Sequence, residues 1–474
     1  MNSEKKKKTL AVVGAGPGGY AAAFMAADQG LEVTLIDPEP NPGGTCLYHG
    51  CIPTKALLHA ARVIFETKRS KDIGLVFQDP DIDIKQLRSW KDKTVEKLTS
   101  GVGFLNKQRK IRYIRGKAVF KEATRLRIDK HDGNAAEESF DAVILATGSS
   151  PTTLPGADFS HPGIWDSRQA LQLETVPETM LIIGGGYIGL EMATIYHSLG
   201  TRIWLAEMTA DLLPGADRDL VSVYKKEGKN LFESIMLETR VEDIREQDQG
   251  MQVTFKKKGE DSTQQVFETI LAAVGRKPNT RGLGLENTGV EKDDRDFITV
   301  NAGRQTTDPA IFAIGDITGG PLLAHKATHE GRVAARVISG QKAAYDPRAV
   351  PAVLYTDPEI AWCGLTQAQA EEQGKKVEIA KFPWNASGRA ATLNRKHGIT
   401  KLVLEPDNGR VLGVALVGPH AGELISEGVL AVEMGAVAED IALSIHPHPT
   451  LSETLMEAAQ AFYAESTHYL GKKK

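Results

Sequence analysis

Two short apolar runs open the chain around a glycine-rich turn. Leu10 to Val13 is apolar, Gly14 to Gly19 supplies the turn, an Ala-rich stretch follows, and Leu31 to Ile36 is apolar again before Asp37. Apolar runs of this length between turn signals predict buried strands, so the unit predicts β-turn-α-β. The pattern recurs. Met180 to Ile183 leads into glycines at 184 to 186 and 189, then a helix-like run to Leu199, then Arg202 to Ala206 and Glu207. Two such units about 170 residues apart predict two separate nucleotide-binding domains. Between them lies a charged segment, about residues 60 to 130, in which Lys93 to Gln108 predicts an amphipathic helix. Asp79-Pro80-Asp81, Asp132-Gly133 and Pro151 punctuate it with turns. Past Tyr345-Asp346-Pro347 the pattern changes. Strand-like runs at Lys401 to Leu404 and Val411 to Val417, and a helical stretch from Thr450, predict a third, α+β domain.

The chain has 474 residues, too many for one compact core and enough for two to four domains. At 41% hydrophobic and 25% charged it falls outside the disordered and fibrous classes. A net charge of −4 gives no overall basic field to draw in nucleic acid. The lysines from 5 to 8, followed by an uncharged run from Leu10 to Ala27, imitate a signal peptide or a membrane span. Gly14, Gly16, Pro17, Gly18 and Gly19 make that run a poor continuous helix, so strand, turn and helix start are expected instead. Lys5 to Lys8 and Lys472 to Lys474 are expected to be solvated tails, and the short basic C-terminus from His468 offers no membrane anchor. Cys46, Cys51 and Cys363 are too few for a disulfide framework and point to a reducing, cytoplasmic compartment.

The glycines at 14, 16 and 19 have the spacing of a dinucleotide fingerprint. Gly14 permits the tight turn, Gly16 lets the backbone approach a pyrophosphate, and Gly19 lets helix pack on strand. Amide N–H groups at that helix start would hold phosphate, and Asp37 is placed to accept from a ribose. Gly184, Gly186 and Gly189 repeat the spacing, with Glu207 as the acid. A carboxylate there favours the free 2′-hydroxyl of NAD over the 2′-phosphate of NADP. Like unit charges ~4 Å apart repel by ~1 kcal/mol in water and ~4 kcal/mol at an effective dielectric of 20. That is roughly one to three decades in affinity. Met208 and Thr209 supply no compensating cation, and Arg202, at the strand start, is expected on the surface.

Cys46-Leu47-Tyr48-His49-Gly50-Cys51 is a C-x4-C followed by Ile52-Pro53-Thr54-Lys55. Zinc would want a second pair of ligands, which Cys363 alone does not complete, although His49 and His59 lie close in sequence. A structural disulfide is disfavoured by the reducing compartment. A catalytic dithiol is the favoured reading, because the pair sits just after a nucleotide fold and just before an expected helix. A helix N-terminus lowers the pKa of a thiol beside it.

Gly43-Gly44-Thr45-Cys46 through Lys55 resembles the redox signature of the disulfide reductase flavoproteins, the pyridine nucleotide–disulfide oxidoreductase family. Ala146-Thr147-Gly148 and Phe312 to Asp316 resemble that family's remaining FAD motifs, and Val274 to Asn279 its return from the NAD domain. Leu323 to Ala327 and His446 to Glu453 resemble the lipoamide branch. The matches run in order from about residue 9 to 465. The resemblance implies two Rossmann-like nucleotide-binding domains plus a C-terminal α+β dimerisation domain. Its limits would be 1–150 and 275–346 for FAD, 151–274 for NAD and 347–474 for dimerisation. FAD would be held by Gly14, Gly16, Gly19, Asp37, Lys55, Gly116, Thr147, Gly148, Gly315, Asp316 and Ala324, and NAD by Gly184, Gly186, Gly189, Glu207 and Gly275. Cys51 would lie against the flavin and Cys46 would face the disulfide substrate. Lys55 and Glu191 would pair near the reactive edge of the ring, and Tyr187 would gate the nicotinamide pocket. The chain departs from the family pattern at Tyr48-His49 and at Pro447.

His448 and Glu453 lie five residues apart across a Pro-Thr turn. A dithiol must lose a proton before it attacks a disulfide, and histidine titrates in the range suited to take it. Glu453 would orient the ring and stabilise its cation, with His446 in support. The resemblance makes this dyad the catalytic base, reaching the Cys pair of a second copy in a homodimer. The implied reaction oxidises protein-bound dihydrolipoamide through a Cys46–Cys51 redox disulfide and FAD, with hydride transfer to NAD. The lipoyl group would sit on a separate carrier protein of a 2-oxo acid dehydrogenase or glycine cleavage complex. The alternatives are another reductase of the family, or a non-catalytic subunit, which would predict a damaged dyad or Cys pair.

Overall fold

A computed structural model describes residues 7–154 and 156–470. Lys5, Lys6 and Lys472 to Lys474, expected as solvated tails, lie outside the described residues. The opening apolar run becomes strand β1 (Thr9–Val13), the Ala-rich stretch helix α1 (Pro17–Asp28), and the next run strand β2 (Glu32–Asp37). Pro17 sits in the first turn of α1, where its missing N–H costs nothing. Among the described residues no helix is long and apolar enough to cross a membrane.

The first sheet has seven strands. Its parallel part runs in the order Ile311–Ala313, Ala142–Leu145, β1, β2, Arg112–Glu122. Two antiparallel strands, Arg125–Lys130 and Ala135–Ser139, continue it. Leu10, Ala11 and Val12 are fully buried because parallel strands are covered on both faces. Helices α1 and Ala324–Ile338 pack closely at glycines. A Cβ on Gly18 would stand 2.9 Å from the Ala327 carbonyl oxygen, and one on Gly331 would stand 2.5 Å from that of Gly18.

The second unit is a five-stranded parallel sheet. Its order is Ser234–Met236, Arg202–Ala206, Thr179–Ile183, Thr269–Ala272, Ile164–Trp165. The chain leaves the first unit at Ser149–Pro151 and returns at Arg276–Pro278, and these two crossings pair antiparallel. A five-stranded antiparallel sheet forms the last unit, ordered Ala352–Leu354, Glu359–Gly364, Val411–Gly418, Ile399–Leu404, Glu378–Pro383.

Two elements start elsewhere than the sequence pattern predicts. The helix expected from Lys93 begins at Ile84. After α2 (Gly44–His49) and α3 (Cys51–Arg69), it is α4 (Ile84–Gln108). Asp83 caps it, accepting from the Gln86 amide at 2.9 Å. Its buried positions are Lys91, Thr99, Gly103 and Asn106, and none of Ile84 to Trp90 is fully buried, so no buried apolar residue marks its start. Lys91 is satisfied by the Leu171 carbonyl at 2.7 Å. The last helix runs Glu453–Phe462 rather than from Thr450, because the Thr450 amide bonds the Glu453 carboxylate at 2.6 Å instead of entering the helix.

Buried ion pairs fasten the units together. Lys401, 1% exposed, lies 2.8 Å from Asp217 and 3.2 Å from Asp219, joining the last sheet to the second unit. Arg62 and Arg69 of α3 pair with Glu359 and Asp357 of the last unit. The helix that begins at Cys51 is therefore held by its far half.

Candidate active site

Both glycine fingerprints open onto one cavity of about 2030 Å³. That is about twice the ~1,000 Å³ upper size of an ordinary small-molecule pocket, enough for two ligands. In the first fingerprint a Cβ on Gly14, at φ +98°, would lie 2.3 Å from the Ala146 carbonyl oxygen. On Gly19 it would lie 1.9 Å from that of Gly14. A Cβ on Gly16 would meet nothing within 4 Å, so that side of its backbone faces open cavity. The second fingerprint repeats this. Gly184 and Gly189 are blocked by backbone at 2.4 and 2.1 Å, while Gly186 is open. Gly19 and Gly189 accordingly sit behind the cavity wall as packing residues, while Gly14, Gly16, Gly184 and Gly186 line it.

The two acids match as well. Asp37 accepts from the Ala15 amide at 2.6 Å and the Glu39 amide at 3.0 Å. Glu207 accepts from the Gly185 amide at 2.7 Å, and from the Thr209 amide and hydroxyl at 2.8 Å each. Each carboxylate is thus tied to its glycine turn and fixed at the cavity edge. Burial, opposed by the two amides, lifts Asp37 above the usual carboxylate range. Arg202 is on the surface, paired with Glu178 at 2.6 Å. Arg240, on the strand Thr239–Gln247, also lines the cavity. It is a cation that residues 208 and 209 do not reveal.

Cys46, on α2, and Cys51, the first residue of α3, line the same cavity as free thiols. The Cys46 thiol donates to Cys51, and this bond chiefly holds Cys51 down at about 7, against burial and with help from Lys55. The same bond, with burial, pushes Cys46 up. In the dithiol form the negative charge therefore resides on Cys51. We expect Cys51 alkylation in the reduced protein to rise through a midpoint near pH 7, fast above it and slow below. A midpoint near that of an ordinary thiol would show that Cys46 and Lys55 do not act on it.

One turn beyond Cys51, Lys55 meets both Glu191 oxygens at 2.9 and 3.0 Å. Burial opposes the ammonium form, but Glu191, Cys51 and Tyr355 together hold Lys55 above its ordinary value. Tyr355 completes the pair, with its ring 4.5 Å from the Lys55 ammonium and its amide 3.2 Å from Glu191. Tyr187 stacks on Trp362, ring centres 5.9 Å apart and planes 19° apart, and both line the cavity. Burial, then Glu191, pushes the Tyr187 phenol up to about 12.

The remaining cofactor candidates also reach the cavity: Gly116, Thr147, Gly148, Gly275, Gly315, Asp316 and Ala324. Asp316 accepts from Ser149, whose hydroxyl in turn accepts from Arg276 at 2.7 Å. The Gly315 turn is pinned by Glu330, fully buried, which takes its amide at 2.6 Å and pairs with Arg304 and Lys326 at 2.9 and 3.0 Å. Tyr355, Trp362, Arg240 and Glu330 carried no local motif. They come from elements whose approach only the tertiary fold creates.

His448 and Glu453 are absent from this cavity's lining. His448 Nδ1 lies 2.9 Å from Glu453 Oε1, whose other oxygen is held by the Thr450 amide at 2.6 Å. The imidazole is 72% exposed and the carboxylate 18%, which leaves Nε2 as the working nitrogen. His446 is a different case, with Nε2 on Glu427 and Nδ1 on the Ser444 carbonyl, both at 2.8 Å. With both nitrogens engaged, it is a structural residue. So one chain brings the dithiol and both nucleotide fingerprints together and leaves the dyad elsewhere on its surface.

Comparison with known proteins agrees with this geometry. Residues 8–331 match the family model for pyridine nucleotide-disulphide oxidoreductases, and residues 350–459 match the dimerisation domain of the same family. A dihydrolipoyl dehydrogenase of Vibrio cholerae is 46% identical over 460 residues, covering 97% of this chain and 96% of the relative. One from Thermus scotoductus is 44% identical, covering 98% of this chain and 100% of its own length. The crystal structure of LpdA from Mycobacterium tuberculosis superposes with a TM-score of 0.88 at 26% identity, covering 96% of this chain and 99% of that one. A Cu(II) complex of the HOCl-induced flavoprotein disulfide reductase RclA from Escherichia coli reaches 0.85 at 26% identity, covering 96% of this chain and all of its own.

Proposed function

This chain belongs to the pyridine nucleotide-disulphide oxidoreductase family, and we propose that within it the protein acts as a dihydrolipoyl dehydrogenase. It oxidises protein-bound dihydrolipoamide to lipoamide and uses FAD and NAD. The observation that carries this is the shared cavity, lined by the Cys46 and Cys51 thiols and by both dinucleotide fingerprints. The residues fit the two cofactors. Gly16 and Gly186 leave backbone open where a pyrophosphate needs close approach, and Asp37 and Glu207 stand where a ribose would lie.

The dimerisation-domain match supports a homodimer, and the exposed apolar residues Leu430, Met434, Leu443 and Ile445 of the last unit give it a face to bury. His448 of the partner subunit takes a proton from one thiol of the substrate, and Glu453 steadies the resulting cation. The substrate thiolate attacks Sγ of Cys46 in the Cys46–Cys51 disulfide and displaces Cys51 as thiolate. The second substrate thiol then attacks the mixed disulfide. That thiol's proton passes to the departing Cys46, lipoamide leaves, and the imidazolium keeps the first proton as counterion to the Cys51 thiolate. FAD supplies the relay by which the dithiol's electron pair reaches NAD as hydride. Lys55 fixes the Cys51 charge beside that relay, and Tyr187 gates the nicotinamide's approach to it. The lipoyl group arrives on a separate carrier protein, and the cysteine usage supports a reducing, cytoplasmic setting.

The test is a steady-state assay of the purified protein. Dihydrolipoamide with NAD should turn over, and glutathione disulfide with NADPH should not; the reverse result would refute the reading. In the same assay Glu207→Arg should lower the preference for NAD over NADP by at least ~10-fold, the low end of the charge argument. An unchanged preference would show that Glu207 does not meet the ribose.

A further inference from the structure

Tyr187 is the first residue of its helix, directly after Gly186, and Glu191 follows one turn on the same face. Tyr187 lines the same cavity as Gly184, Gly186, Lys55 and Cys51, where the gate reading places it in the path of a nicotinamide. Behind the ring stands Trp362. It comes from strand Glu359–Gly364 of the last unit, hydrogen-bonded between Ala352 and Ala415, and is 9% exposed. The planes of Tyr187 and Trp362 lie 19° apart. That near-parallel stack joins two units of the fold, and it is lost when the phenol swings aside. Trp362 belongs to the buried cluster that also holds Leu57 and Leu58 of α3, and Tyr187, only partly buried, packs against that cluster.

We propose that Trp362 is a positioning residue that sets how firmly the Tyr187 ring closes the nicotinamide site, and so sets the apparent affinity for NAD and NADH. The proposal rests on the gate reading of Tyr187 given above. A ligand that binds only when the gate is open has its apparent Kd raised by the inverse of the open fraction. Weakening the stack raises that fraction. An aromatic pair is worth enough to shift it by roughly two- to ten-fold.

The experiment is anaerobic stopped-flow reduction of the FAD-loaded protein by NADH, separating apparent Kd from the limiting rate. Trp362→Leu should tighten the apparent Kd by roughly two- to ten-fold. Trp362→Phe, which keeps a ring, should lie between Leu and the unaltered protein. In a Tyr187→Ala background, already tight, Trp362→Leu should change nothing further. The same shift from Trp362→Leu with and without Tyr187 would overturn the proposal, and so would a weaker affinity in the Leu variant. If Trp362→Leu does not fold, the Phe variant with and without Tyr187→Ala decides the matter alone. If the unaltered protein takes no electrons from NADH, the proposed function itself fails, a result distinct from normal reduction with an unresponsive Trp362.

Discussion

Cys46→Ala and Cys51→Ala are each expected to reduce dihydrolipoamide turnover by at least ~10⁴-fold, the scale of losing an essential nucleophile, while the protein keeps its FAD. The relay has two sulfurs and no spare, because Cys363 is buried in the last unit's sheet, away from the cavity. The two variants should differ in a second measurement. With Cys46 gone, Cys51 loses the thiol donor that is the main cause of its lowered pKa, so its alkylation midpoint should move above pH 7. With Cys51 gone, Cys46 loses both the bond and the neighbouring negative charge that push it up, so its own midpoint should fall. Full turnover in either variant would end the dithiol reading. Unshifted midpoints would leave the relay standing and remove the charge assignment within it.

The parts of the site legible in the sequence are those made by short stretches of chain. Thr9 to Asp37 forms a turn, a helix start and two strands within 29 residues, so spacing alone predicts where Gly14, Gly16 and Asp37 must go. The same holds from Thr179 to Glu207, and the strand read as Arg202 to Ala206 appears with those bounds. Long-range features are of another kind. Lys55 and Glu191 are 136 residues apart, and their pairing was available only through the family resemblance. Trp362 lies in a strand whose buried neighbours give it the look of any core residue, and nothing beside it in sequence names Tyr187 as its partner. Helix α4 was legible from Lys93 to its end at Gln108, but its start at Ile84 was not. It buries Lys91, Thr99 and Asn106, polar side chains that donate to backbone carbonyls, so burial there left no apolar signal.

His448→Gln is expected to slow dihydrolipoamide oxidation by at least ~100-fold, the lower end of general acid–base contributions. An amide can keep the bond to Glu453, but it cannot take a proton from a thiol. Reduction of the protein by NADH alone should survive, since no substrate thiol is deprotonated in that half of the cycle. The placement of the dyad supplies a stricter test. His448 is 72% exposed in its own chain and outside the cavity that holds Cys46, so the proposed reaction calls for a second copy to bring the two together. Co-expressing Cys46→Ala with His448→Gln and purifying the mixed dimer through two tags gives one assembly with both lesions. If the sulfurs and the imidazole come from different copies, one of its two sites is whole, and it should run at about half the unaltered rate. If they act within one copy, the mixed dimer should be as inactive as either parent. A half-active mixed dimer from two nearly dead parents has no explanation in which the dithiol and its base belong to the same chain.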